Sequence, residues 1–159
     1  MDIRSTKAYE LIEMFYNTQC AKRSGVPLMN HIHEGLEILD ALCADQVTKE
    51  AFCLHPLVQN SPDSNELDFD SSQISTEVME LSFEYKEKAN SYLCRPDTDW
   101  VTSSNDVALL VGELSERCRL MLIADKIQNQ KDFYIYHSST HARAWQLFEY
   151  FLNWLNFLR

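Results

Sequence analysis

The chain has 159 residues and carries 14 Lys and Arg against 24 Asp and Glu, a formal charge of −10. That length supports one compact domain over residues 1–159. The acidic balance argues against a nucleic-acid backbone or an anionic membrane surface as partner. Only three glycines and four prolines occur, with neither a GxGxxG nor a Walker A pattern. A phosphate cradle built from backbone amides is therefore excluded, and a turn-rich all-β sandwich is disfavoured. No apolar run reaches the ~18 residues of a membrane span, and Met1-Asp2-Ile3-Arg4 lacks a signal-peptide core. The five cysteines, Cys20, Cys43, Cys53, Cys94 and Cys118, form no CxxC pair. They read as buried, reduced thiols of a cytoplasmic protein.

Periodicity predicts an all-α chain of about six helices. The first covers 5–22, with Ser5 as cap and Ala8, Leu11, Ile12, Phe15 and Cys20 on one stripe. Arg23-Ser24-Gly25-Val26-Pro27 breaks it. A second helix runs over 30–44 with Ile32, Leu36, Leu39 and Cys43 inward. Asp45 caps a third over 47–59, which Pro56 should bend or stop. Residues 60–73 are polar, acidic and aperiodic, a loop long enough for a lid or a connector. A fourth helix spans 75–93, followed by a turn at Arg95-Pro96-Asp97. The fifth spans 106–129, capped by Asn105 or Asp106. The last spans 138–158, and its end is apolar nearly all round. Such a helix is either central to the core or covered by a second copy of the chain.

Among the five histidines, His31 and His33 are two residues apart and point different ways on a helix. His55 lies in the otherwise apolar Ala51-Phe52-Cys53-Leu54-His55-Pro56 and needs a polar partner there. Three segments in this order resemble the HD superfamily of metal-dependent phosphohydrolases. The branch they look most like is the (p)ppGpp hydrolase domain of RelA/SpoT type and its small alarmone-hydrolase relatives. The segments are Arg23-Ser24-Gly25-Val26-Pro27-Leu28-Met29-Asn30-His31 with Gly35-Leu36-Glu37-Ile38-Leu39 after it, then Ala51-Phe52-Cys53-Leu54-His55, then Leu122-Ile123-Ala124-Asp125-Lys126-Ile127-Gln128-Asn129. They are similar to the family's R-x-G-x-P-Y-x-x-H, A-A-L-L-H-D and K-L-A-D-R-x-x-N. Together they cover about a third of the chain.

The resemblance implies a compact helical HD-like bundle holding one divalent cation, usually manganese. It maps metal ligands onto His31, His55 and Asp125. It also marks departures. Pro56 stands where the family has the second ligand Asp, and Gln59 and Asn60 stand where it has a Glu-Asp pair that helps activate water. Neither amide is a general base at neutral pH, and losing such a base costs on the order of 10²–10⁴ in rate. Hydrolysis should then be lost or much slowed, unless another group such as Glu34, Glu113 or Glu116 takes over. On the nucleotide side, Arg23, Lys126 and Asn129 match the family, and Gln59 and Asn60 remain as polar lining. Taken without the family, Arg23 and Lys126 also read as solvated surface cations, and Asn129 as a helix C-cap. Tyr134, Tyr136, His137 and His141 follow the third segment and can stack on a base or simply pack.

Three functions are consistent with these residues. The first is an HD-like protein with a nucleotide-sized pocket and a partial metal site, binding a phosphorylated nucleotide or a protein partner without efficient catalysis. The second is an active phosphohydrolase with an altered site. The third is an acidic helical interaction protein that dimerises through its C-terminal aromatic helix.

Overall fold

A computed structural model describes residues 2–22, 24–59, 61, 69–94 and 103–159. Arg23, Asn60, most of the 60–73 loop and the Arg95-Pro96-Asp97 turn lie outside them. Among the described residues the chain is all-helical. A 3-10 turn at Ile3–Ser5 precedes α1 (Lys7–Tyr16), α2 (Met29–Ala41), α3 (Gln46–Gln59), a second 3-10 turn at Ser71–Gln73, α4 (Thr76–Ser91), α5 (Ser104–Val111), α6 (Glu116–Asp132), a π-turn at Phe133–His137 and α7 (Ala144–Leu158).

Capping explains most of these boundaries. Asp45 Oδ1 accepts from Thr48 N at 2.9 Å at the start of α3, and Ser75 caps α4. Two boundaries differ from the periodicity. The first helix starts after Thr6, whose side chain accepts from Tyr9 N, and ends at Asn17 with φ +35°. Asparagine tolerates positive φ better than most other side chains, so it closes the helix six residues early. Cys20 then lies in the loop that follows and pairs through its backbone with Pro27. The expected 106–129 helix is two helices. Gly112 at φ +70° ends α5, and Ser115 caps α6 through Cys118 N. The apolar spacing runs on through this break because both helices face the same core. Ser103, rather than Asn105 or Asp106, caps α5.

Two of the five thiols depart from the buried reading: Cys20 and Cys43 are exposed, Cys94 is half-buried, and Cys53 and Cys118 are buried. Cys43 falls past the end of α2 at φ +57°, which turns it off the inward stripe.

α3 is the central helix. Every side chain from Ala51 to Pro56 is buried, and the helix packs against α1, α2, α4 and α6. Pro56 sits inside it rather than ending it. Arg117 at the start of α6 clasps Asp45 at 2.6 Å and also pairs with Glu77, tying α6 to α3 and α4. α7 presents Tyr150, Phe151, Trp154 and Leu158 inward while Trp145, Phe148 and Leu152 face out. The core reading thus holds for the inward face of this helix. No helix of the described residues is long and apolar enough to cross a membrane.

Candidate functional site

The first turn of α2, the last turns of α3 and the middle of α6 meet at one point. They bring His31, His55 and Asp125 together. His31 Nε2 is 3.1 Å from His55 Nε2 and 3.5 Å from Asp125 Oδ1, and His55 Nε2 is 3.9 Å from that oxygen. Donors bound to one ion at ~2.0–2.2 Å in tetrahedral array are about 3.3 Å apart, so these spacings suit a single cation.

The protonation pattern supports the same conclusion. His55 Nδ1 lies 2.6 Å from the Phe52 carbonyl, which can only accept, so Nδ1 carries the proton. His31 Nδ1 lies 2.5 Å from Gln128 Oε1. The Gln128 amide is fixed in that orientation because its Nε2 donates to two carboxylates, Asp132 Oδ2 at 2.8 Å and Glu34 Oε2 at 3.1 Å. With Nδ1 of each ring carrying a proton, the two Nε2 atoms are left facing each other across 3.1 Å. Two lone pairs at that distance repel unless a proton or a metal ion lies between them. Burial, and then the neighbouring His31, push the His55 pKa down to about 3, so His55 is a poor holder of such a proton. The residues present fit a cation.

Asp125 is nine-tenths buried and fully engaged. Its Oδ1 accepts from Asn129 Nδ2 at 2.7 Å, its Oδ2 accepts from Lys126 Nζ at 2.8 Å, and the Tyr85 hydroxyl also bonds to it. Burial alone would raise its pKa. Lys126, His31 and His55 outweigh that and hold the carboxyl well below the usual range. Lys126 is itself only 5% exposed, with Nζ 5.0 Å above the Trp154 ring and 5.7 Å from that of Tyr150. It is an internal counter-ion, not the solvated surface cation that its residue type allowed.

These groups form the floor of a cavity of about 550 Å³, a size that suits a nucleotide. Its walls are mixed. Tyr16, Pro27, Leu28, Phe133, Leu147 and Phe151 give an apolar and aromatic side. Gln59 lines it too, with its amide donating to Asn90 Oδ1 at 3.0 Å. His137 and His141 reach the rim, whereas Tyr134 and Tyr136 are exposed and are not among the lining residues.

Of the residues singled out by sequence, His31, His55, Gln59, Asp125, Lys126 and Asn129 line this one cavity, and Arg23 and Asn60 lie outside the described residues. His33 points elsewhere, to the Tyr9 hydroxyl at 2.8 Å. Glu34 sits behind His31, tied to Lys131 and Gln128, while Glu113 and Glu116 are on the exposed α5–α6 junction. None of the three lines the cavity. Sequence reasoning passed over Gln128 and Tyr85. The only signal for Gln128 was its place within the Asp125–Asn129 turn. Comparison with protein-family models, curated proteins and solved structures finds no match.

Proposed function

We propose that this chain is an HD-like helical protein that holds a divalent cation through His31, His55 and Asp125 and binds a phosphorylated nucleotide over it, with hydrolysis lost or weakened. The observation that carries the reading is the convergence of two imidazole Nε2 atoms and one carboxylate oxygen at the floor of a nucleotide-sized cavity. When bound, a divalent cation there supplies Lewis acidity and an acidified water. The protein's own groups supply orientation. Gln128 and the Phe52 carbonyl aim the imidazoles, and Asn129, Lys126 and Tyr85 hold the carboxylate. The aromatic wall suits a base, and the cation suits a phosphate. Weak catalysis follows from Pro56 and Gln59, which offer neither a fourth anionic ligand nor a general base.

Elemental analysis of the purified chain, calorimetric titration with a nucleotide panel that includes ppGpp, and a phosphate and pyrophosphate release assay test this together. Binding without turnover is expected. Turnover abolished by His55→Ala would establish the active-hydrolase alternative instead.

The outward face of α7 supports a second element of the reading, a homodimer. Trp145 is 62% exposed, and Phe148 and Leu152 continue its stripe at helical spacing, with Tyr134 packed edge-on against Phe148. Sedimentation over a concentration series should show a monomer–dimer equilibrium, and a strict monomer would remove this element.

A further inference from the structure

The proline after His55 has a chemical consequence beyond the ligand it fails to supply. In a regular helix the N–H of residue 56 would bond the carbonyl of Phe52. Proline has no N–H, so that carbonyl is released inside a buried helix and must find another donor. It finds the Nδ1–H of His55, at 2.6 Å. The ring is thereby held in the tautomer whose Nε2 lone pair points at His31 and Asp125. Gln128 does the same for His31, anchored by Glu34 and Asp132.

The resulting donor set is two neutral nitrogens and one oxygen, and the carboxylate charge is already matched by Lys126 at 2.8 Å. Hard cations such as Mn²⁺ depend on anionic oxygen donors. Imidazole-rich sites favour Zn²⁺ and its neighbours late in the first-row series. Resting on the metal reading above, we propose that Pro56 is a positioning residue that converts this centre into a three-ligand N,N,O site selective for Zn²⁺ over Mn²⁺. A cation held by these three ligands would keep open coordination positions, and Pro56 lines the same cavity. The proline is thus a working part of a different centre rather than a gap in a four-ligand one.

The test uses the full-length chain, stripped of metal. Competition against a chromogenic chelator gives the Zn²⁺ affinity, spin resonance of free Mn²⁺ gives the other, and long-range proton–nitrogen correlation reads the imidazole tautomers. In the wild type, both His31 and His55 should be Nδ1–H tautomers, and Zn²⁺ should bind one to one, at least ~100-fold tighter than Mn²⁺. Pro56→Ala returns a helix N–H to the Phe52 carbonyl. The His55 tautomer should become mixed and Zn²⁺ affinity fall by ~10-fold or more, the usual cost of losing an orienting partner. Circular dichroism should show the helix intact, since alanine is the better helix former. Pro56→Asp adds an anionic oxygen on the cavity wall and should narrow the Zn²⁺/Mn²⁺ ratio by ~10-fold or more. Zn²⁺ binding that is indifferent to Pro56→Ala, with an unchanged tautomer, overturns the positioning role and leaves the metal site standing. Equal wild-type affinity for the two ions overturns the selectivity. A wild type that binds neither ion overturns the metal reading itself.

Discussion

Gly35 gives the sharpest test of how the site is braced. It lies on α2 one turn after His31, and the Phe52 ring of α3 lies directly against its backbone. A Cβ added there would overlap Cε1 and Cζ of that ring and stand 3.3 Å from Cε2. The ring would have to retreat by roughly an ångström. Phe52 is fully buried and contacts both site imidazoles, with centroids 4.7 Å from His55 and 5.8 Å from His31. Two effects compete in Gly35→Ala. Helix propensity and the stiffer unfolded chain favour alanine by about 1 kcal/mol. Overpacking a closed core costs about 1–3 kcal/mol, occasionally more. Because the clash falls on a ring with no exposed side to move toward, the cost should win and leave a net loss of up to about 2 kcal/mol in urea unfolding. For a chain of this length that is a fall of up to roughly 8 °C in Tm. Zn²⁺ affinity should drop in parallel, since Phe52 also supplies the carbonyl that holds His55. A variant stabilised by about 1 kcal/mol with unchanged Zn²⁺ affinity would refute the idea that this contact braces the imidazoles.

Other outcomes follow from the buried charges. Lys126→Met leaves Asp125 buried without its cation. It should cost about 3–5 kcal/mol in the metal-free protein, and added Zn²⁺ should raise its Tm by more than it raises the wild type's. His55 is held neutral, its pKa lowered from 6.5 to about 3. The unfolded chain therefore binds a proton that the folded chain refuses. Metal-free stability should fall as pH drops through the window between those values, by up to about 1.4 kcal/mol per pH unit. His55→Gln should flatten that slope in a pH series of urea melts. Trp145→Ser alters an exposed side chain, so stability should stay within about 0.5 kcal/mol while sedimentation shows loss of any dimer.

The helices were legible where a cap and an apolar stripe coincide, as at Asp45 and Ser75. They were misread where a break leaves the stripe in phase. Gly112 and Ser115 divide a run whose apolar residues serve one core from both sides, so periodicity alone joins them. Asn17 ends α1 through a backbone conformation that no hydrophobic pattern reports. At the site, His31, His55, Asp125, Lys126 and Asn129 were visible only through the resemblance of their three segments to the HD motifs. Gln128 was not. Its role depends on two carboxylates, one of them on another helix, and that is a tertiary fact. Pro56 was visible as a missing ligand, but the carbonyl it releases and the ring that takes it up appear only in three dimensions.

The Lys126–Asp125 pair sets how the pocket accepts charge. Because the two neutralise each other before any ion arrives, a divalent cation enters as the one uncompensated charge at the bottom of a low-dielectric cleft. An anion that reaches its open positions restores neutrality, and each partner should then tighten the other by the same factor. Metal and anionic ligand should therefore behave as a coupled pair, each bound on its own and held more firmly in the other's presence.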